Sequence, residues 1–336
     1  MDAEPDILII GAGLAGASTA YSLRLRGIQD VLVVEQEAFA GVHSSGRSAA
    51  LVRVRTADPD ILAMAAEGAG VLRTGEPTPF RRTGSMLVGQ GDEEVAGRFP
   101  PARGHGLWSP EDGVVDVAAL LRTYLAGQAV RYNTRVLGID PSGDRLAAET
   151  TQGVIRAKVM VNAAGPWAGV VGDIDVTPMN RHVFITPPRG DIGQDWPFVW
   201  HDAEGLYFRP ESGGLLLCAC DETPAAPGDY RDDPAVMERL CDLVTTLQPG
   251  LSDIAVMNKW VGQRTFAPDR RFVIGCDPRD PRLFHVAGLG GHGVTCSPAI
   301  GRLAADLLLA GPTVGSNPFD PARLIAQKTK HPPFGG

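Results

Sequence analysis

The stretch from Asp6 to Glu35 constrains this chain most. Asp6-Ile7-Leu8-Ile9-Ile10 is a short apolar run rich in β-branched residues, the pattern of a strand buried on both faces. Gly11-Ala12-Gly13-Leu14-Ala15-Gly16 follows at once, and a helical pattern then runs to about Arg26. The three glycines have separate physical reasons. Gly11 permits the tight turn out of the strand, Gly13 lets the backbone approach a pyrophosphate, and Gly16 lets the helix lie close on the sheet. The helix N-terminus offers free N–H groups and a partial positive charge to that pyrophosphate. Gly27 is placed to cap the helix, Val31-Leu32-Val33-Val34 reads as the second strand, and Glu35 stands where a carboxylate bonds a ribose 2′-hydroxyl. A lone glycine triplet is a weak signal. With strand, helix and acid at these spacings it reads as a dinucleotide-binding βαβ unit, and it does not distinguish FAD from NAD.

The bulk of the chain narrows the classes further. At 336 residues it can bury one large core or two modest ones. A net charge of -8 argues against nucleic acid as a partner, and no Lys/Arg run suggests an anionic membrane surface. Met1-Asp2-Ala3-Glu4-Pro5 is acidic, unlike a signal peptide, and Leu303–Ala310 is too short to span a bilayer, so no transmembrane segment is expected. The cysteines, Cys218, Cys220, Cys241, Cys276 and Cys296, are odd in number and form no CxxC. They read as small buried hydrophobes in a reducing cytosol, with Cys218 and Cys220 sharing one face of a strand. A cytoplasmic location is therefore expected. His292 and Cys296 lie one helical turn apart without further ligands nearby, so no metal site is expected.

Asp116–Gln128 reads as a helix and Val130–Ile139 as a strand, with Leu146–Thr151 and Val154–Val161 as strands about a Gln152-Gly153 turn. Pro-rich loops fall at 77–79 and 100–110. Short strands are expected at His182–Thr186, Gly205–Arg209 and Leu215–Cys220, then a helix over Pro234–Leu247. Near the C-terminus the opening logic repeats: a strand at Leu283–Ala287, a glycine turn at Gly288–Gly293 and a helix at Ser297–Ala310. This second strand–glycine–helix unit suits a flavin better than a nicotinamide alone. Its helix N-terminus can face the edge of the ring that becomes negative on reduction. Only one complete GxGxxG is present and there is no CxxxxC, which disfavours a second, NADPH-binding domain and a disulfide reductase. The organisation expected is an α/β fold: a Rossmann-type nucleotide-binding domain from residues 1–52, 114–172 and 262–330, with an inserted antiparallel-sheet domain from 53–113 and 173–261.

Four features, in order, resemble the D-amino-acid oxidase superfamily of FAD enzymes. They are the fingerprint ending at Glu35, His43-Ser44-Ser45-Gly46-Arg47-Ser48-Ala49-Ala50, the segment VNAAGPWA at 161–168, and GLGGHGVTCSPAIG at 288–301. Within that group, which includes glycine and sarcosine oxidases, the chain is most similar to D-amino-acid dehydrogenases of the D-arginine dehydrogenase kind. Those share a form of the His43–Ala50 segment and of Trp260–Arg264. The chain is shorter than such enzymes, and the shortage falls within 58–110.

The resemblance implies non-covalent FAD. The sarcosine oxidases tether flavin through a Cys where Gly262 stands here. FAD contacts are expected at Gly11, Gly13, Leu14, Ala15, Gly16, Glu35 and Gln36, then along His43, Ser44, Ser45, Gly46, Arg47, Ser48 and Ala49. Further contacts are expected at Val136, at Ala163, Ala164, Gly165 and Trp167, at Gly262 and Arg264, and along Gly288, Gly290, Gly291, His292, Gly293, Val294 and Thr295.

By residue chemistry Arg264 is either a clamp for a substrate carboxylate or a structural ion pair with a nearby Asp. The resemblance favours the clamp. His43, His292 or water is the candidate proton acceptor, with no single residue forced into the role of base, and Tyr207 and Arg209 are weaker candidates for substrate contact. The activity implied is oxidation of a D-amino acid or glycine-like amino acid to an imino acid and then a 2-oxo acid. The alternatives are a 2-hydroxy-acid dehydrogenase on the same fold, or a weakly catalytic flavoprotein subunit of a larger complex. Leu216 and Thr295 stand where sarcosine oxidases carry lysines that promote reaction with oxygen, which favours a dehydrogenase. The electron acceptor stays open between quinone, dye and oxygen.

Overall fold

The computed structural model describes residues 4–75, 79–311, 315 and 317–324. Most of the loop expected at 77–79, the terminal Met1–Ala3 and the end of the 262–330 segment lie outside the described residues. Among the described residues the α-helices are, in chain order, α1 (Leu14–Leu25), α2 (Pro59–Thr74), α3 (Val117–Leu125), α4 (Ala168–Gly172), α5 (Pro234–Leu247) and α6 (Gly293–Ala310).

One layer is a six-stranded sheet, in the order 273–276, 283–287, 159–162, 7–10, 31–34 and 129–131. All neighbours are parallel except 273–276 against 283–287. Period-two alternation splits its side chains between two cores. Ile9, Val31, Val33 and Val161 meet Ala15, Ala20, Leu23, Ile300 and Ala304 of α1 and α6. Leu8, Ile10, Leu32, Val34 and Met160 meet Leu146, Ala148 and Ile155 on the other face. Burial on both faces explains why these strands read as unbroken apolar runs. Strand Ile7–Ile10 lies between one neighbour reached early in the chain and another reached 150 residues later, so the order reverses beside it. Such a switch point opens a crevice at the carboxyl ends of the strands.

The second layer is a mostly antiparallel eight-stranded sheet centred on Thr177–Ile185, Gly214–Cys218, Leu206–Glu211 and Phe198–His201. Its one parallel pair is Phe198–His201 with Ser85–Glu94. The nine-residue strand Asn258–Phe266 pairs along the whole of Thr177–Ile185. α5 covers one face, with Val236, Leu240 and Val244 packed on Phe208, Leu215 and Leu217.

Several expectations are corrected. The strand expected at Val130–Ile139 is two strands, Ala129–Arg131 and Val136–Asp140, in different sheets, with Asn133 at φ 54° turning the chain between them. Val154–Val161 likewise divides into Gly153–Ala157 and Val159–Asn162. The strand through Cys218 ends there, so Cys220, at φ 50°, lies beyond it, yet the two stay together, with Cys220 N donating to Cys218 Sγ at 3.4 Å; Cys241 is exposed on α5. α2 lies within the 53–113 stretch expected in the inserted domain. Its Ile61, Met64 and Ala65 instead join the core of the parallel sheet, and a Cβ on Gly68 would lie 2.1 Å from Thr295 O of α6.

α6 begins at Gly293, four residues before the expected start, despite Pro298 inside it. Pro298 has no N–H for the Val294 carbonyl one turn back, and the Ser297 hydroxyl donates to that carbonyl at 3.1 Å instead. Among the described residues α6 is the one helix long and apolar enough to cross a membrane, and half of it is buried within this fold.

Candidate active site

The crevice predicted by the strand order is a cavity of two lobes that share Gly13, Ser44, Ser45, Ala163 and Gly165. The open space in them is about 950 and 1210 Å³, part of it continuous with solvent.

The first lobe lies at the end of strand Val31–Val34. Glu35 is buried there. One carboxylate oxygen accepts from Ala12 N at 2.9 Å and the other from Glu37 N at 3.1 Å. Each oxygen keeps a lone pair for a further donor. Gly11 at φ 106° is required by close approach, since a Cβ would lie 2.5 Å from Ala163 O. Gln36, Val136, Ala164 and Trp167 complete this wall.

The second lobe lies between the two sheets. Leu14 and Ala15 at the start of α1 meet Arg47, Ser48 and Ala49 here, opposite Gly262 and Arg264 of strand Asn258–Phe266. The floor is the turn Gly288, Gly290, Gly291 and His292, with φ of 66°, 51° and 92° at the three glycines, leading into Gly293, Val294 and Thr295 of α6. The unpaired N–H groups of that helix start therefore face the cavity.

Most expected residues converge on these lobes; Gly16, Gly46 and Arg209 do not line them, and neither histidine is placed to act as the expected base. A Cβ on Gly16 would lie 2.0 Å from Gly11 O and 3.0 Å from Ile9 Cγ2, the close helix–strand approach expected of it, and one on Gly46 would lie 2.2 Å from Gly41 O, so Gly46 serves the turn beneath the cavity. Arg209 is used structurally, by Ala49 O at 2.9 Å, Pro210 O at 2.8 Å and Glu211 at 2.7 Å. His43 belongs to the first lobe, not with Arg264, Tyr207 and His292 in the second. Its Nδ1 meets the Tyr230 hydroxyl at 2.6 Å and its Nε2 the Glu37 carboxylate at 2.8 Å, and its ring stands edge-on to Trp167. With both nitrogens engaged away from the second lobe, it is removed as a proton acceptor for chemistry there.

Polar groups that await a ligand concentrate in the second lobe. Among the described residues, five buried side-chain atoms lack a hydrogen-bond partner, Ser44 Oγ, Arg181 Nε, Tyr207 Oη, Thr265 Oγ1 and His292 Nε2, and all five residues line it. Tyr207 Oη has only the soft Cys218 thiol beside it. Burial pushes the Tyr207 phenol well above its ordinary range, so it stays protonated. Burial, with Arg53 and Arg264 nearby, pushes the His292 imidazole down to about 3. His292 is neutral at pH 7 and a poor proton acceptor.

Arg53, Arg181, Trp200 and Gln263 line the same lobe and were missed from sequence. A charged residue two positions before the apolar run Val183-Phe184-Ile185, in the same strand, is the signal that marks Arg181. Gln263 accepts from Gly228 N at 2.9 Å and donates to Ala226 O at 2.8 Å, which fixes the 226–228 loop over the cavity.

A parallel sheet with a glycine-turn crevice, an acidic ribose site and a second helix start facing a polar pocket defines a flavin-binding oxidoreductase. The chain belongs to the FAD dependent oxidoreductase family, whose sequence model matches residues 6–307. It is 24% identical over 93% of its length to the mouse (Mus musculus) mitochondrial pyruvate dehydrogenase phosphatase regulatory subunit, of which it covers 42%. With glycine oxidase of Bacillus subtilis it shares 25% identity over 55% of this chain and 50% of that one. The chain thus spans half or less of the length of both. Its fold matches L-proline dehydrogenase from P. horikoshii at a TM-score of 0.86 and 21% identity, covering 97% and 99% of the two chains. It matches glycine oxidase from Geobacillus kaustophilus at 0.82 and 22%, covering 96% and 99%.

FAD is the family's cofactor, and the residues present fit it. Glu35 suits the ribose, the crevice at Gly11, Gly13 and the start of α1 suits the pyrophosphate, and the orphaned Ser44 hydroxyl sits where the lobes join. The start of α6 suits the flavin ring.

Proposed function

We propose that this protein oxidises the amine beside a carboxylate in a D-amino acid or a glycine-like amino acid. The imino acid formed takes up water to give a 2-oxo acid and ammonia. The observation that carries this reading is Arg264. Among the described residues its guanidinium has no hydrogen-bond acceptor and no acidic partner, and it faces the cavity against Gly291, where an added Cβ would lie 3.1 Å from it. A fixed planar fork of donors takes a carboxylate through two parallel bonds.

Bound FAD supplies the two-electron sink for the hydride leaving the α-carbon. The chain's share is placement and electrostatics. Arg264 fixes the carboxylate and so aims the α-hydrogen. The amine must be neutral to release a hydride readily; the burial that holds His292 neutral, with Arg53 and Arg264 beside it, also disfavours an ammonium, so the substrate's proton passes to water as it enters. His292 Nε2 then accepts a hydrogen bond from the neutral amine. Oxidation of a 2-hydroxy acid would need a base for the hydroxyl proton, and His292 is too weak a base for that role. The proposed acceptor is a quinone or dye rather than oxygen.

The test is anaerobic mixing of the FAD-loaded protein with D- and L-amino acids, glycine, sarcosine and 2-hydroxy acids while following flavin bleaching. Bleaching by amino acids supports the reading; bleaching by hydroxy acids alone overturns it.

A further inference from the structure

The lobe that holds Arg264 is lined by four guanidiniums, Arg47, Arg53, Arg181 and Arg264, and by no carboxylate. Two of them are committed. Arg47 donates to Val42 O at 3.1 Å and Val261 O at 2.9 Å and lies over the Tyr230 ring, tying the 42–47 turn to the neighbouring strand. Arg181 has Glu222 at 2.8 Å. Arg264 has neither acceptor nor acid.

Arg53 has one backbone acceptor, Arg55 O at 3.0 Å, and stacks its guanidinium carbon 4.1 Å over the Trp200 ring. Its backbone N–H is held by Thr295 Oγ1 at 3.1 Å, so its place is fixed relative to α6. Burial, and then Arg264, lower the pKa of Arg53, although Asp202 and Asp112 act the other way. Two unneutralised cations thus face one cavity, Arg53 from the segment after Leu51–Val52 and Arg264 from strand Asn258–Phe266. That arrangement is costly unless anionic groups sit between them.

We infer that the substrate carries two carboxylates, one held by Arg264 and the other by Arg53: an acidic amino acid, or an amino acid whose nitrogen bears a carboxymethyl group. This deepens the proposed function and rests on it for the role of Arg264. A monoanion on Arg264 leaves Arg53 unpaired, whereas a dianion neutralises both. Stacking on Trp200 holds the Arg53 fork in one plane, where its parallel donors favour a carboxylate, with two charged acceptor oxygens, over a neutral amide, with one acceptor and an NH2. Arg53 is then the specificity-determining residue.

Inert acids test the charge count without turnover. Glutarate and butyrate are titrated into the FAD-loaded protein, and binding is read from the shift in flavin absorption. Glutarate is expected to bind at least ~10-fold tighter, and Arg53→Gln to erase most of that advantage while flavin content stays normal. Arg53→Lys, which keeps the charge without the fork, is expected to retain part of it. Equal binding of the two acids overturns the inference. So does an equal loss for both acids in either variant, which would mean that both arginines grip a single carboxylate.

Turnover separates this inference from the reading beneath it. Aspartate, glutamate and iminodiacetate are compared with asparagine, glutamine and sarcosine. Bleaching by the neutral set alone leaves amine oxidation standing and overturns the second carboxylate. Arg53-dependent glutarate binding with no bleaching by any amine leaves the dianion site standing and overturns amine oxidation.

Discussion

Replacing Arg264 with Ala tests the centre of the site. The guanidinium is half-buried, has no partner to be orphaned by its removal, and does not support the core. The folded protein and its FAD content should therefore be nearly unchanged, and the loss should fall on the ligand. Removing one partner of a buried, hydrogen-bonded charge pair costs about 2–5 kcal/mol, or about 30- to 5000-fold in affinity. Arg53 and Arg181 remain in the lobe and still attract an anion, so the low end, about 100-fold, is expected.

The assay is anaerobic stopped-flow reduction of the flavin, with the dissociation constant taken from the concentration dependence of the observed rate. Arg264→Lys should recover part of the loss, since a point charge cannot reproduce the fork. Gly291→Ala provides a check that leaves the arginine in place. Its Cβ would sit 3.1 Å from three guanidinium atoms at a backbone φ of 92°, so the guanidinium must shift. Weakened substrate binding is expected there too. An unchanged half-saturating concentration in Arg264→Ala would refute the clamp and make Arg264 a structural residue.

Three further outcomes are expected. Glu35→Ala leaves the Ala12 and Glu37 N–H groups without their carboxylate; it should lower stability by on the order of 3 kcal/mol in thermal melts, and shed FAD on dialysis, with substrate ranking unchanged. Full FAD retention would place Glu35 away from the ribose. Acid precipitation should release all the yellow colour, because Gly262 offers no thiol for a flavin link; colour kept in the pellet would contradict this. Substrate-reduced protein should reoxidise slowly in air, since no lysine lines the lobe and His292 is neutral, and reoxidation as fast as flavin reduction would make the protein an oxidase.

The nucleotide-binding half was legible because its signals are local. Strand Ile7–Ile10, the turn at Gly11, α1 and strand Val31–Val34 each announce themselves within a few residues, and the structure places them within a residue or two of the expected bounds. Errors arose where one local pattern continues across a change of partner. Alternation runs on from Ala129 to Asp140, and nothing short of the αL turn at Asn133 shows that the chain has changed sheets. Pro298 reads as a first-turn residue of a helix, and only the Ser297 hydroxyl on Val294 O explains how the helix begins a turn earlier.

The chemistry was less legible because it depends on a sum of charges from distant segments. Arg53, Arg181 and Arg264 lie on separate stretches of chain and meet only through the pairing of Thr177–Ile185 with Asn258–Phe266 and the crossing of residue 53 beside α6. Singly, each is an ordinary arginine with a plausible salt bridge. Together, with no acid on the wall, they leave the lobe positively charged. The two histidines singled out from sequence both lose the role of base, His43 through its place beside Glu37 and Tyr230, and His292 first through burial and then through Arg53 and Arg264. A pocket of this charge does not need a histidine to take a proton from an amine; its own field makes the neutral amine the favoured form and draws carboxylates to it.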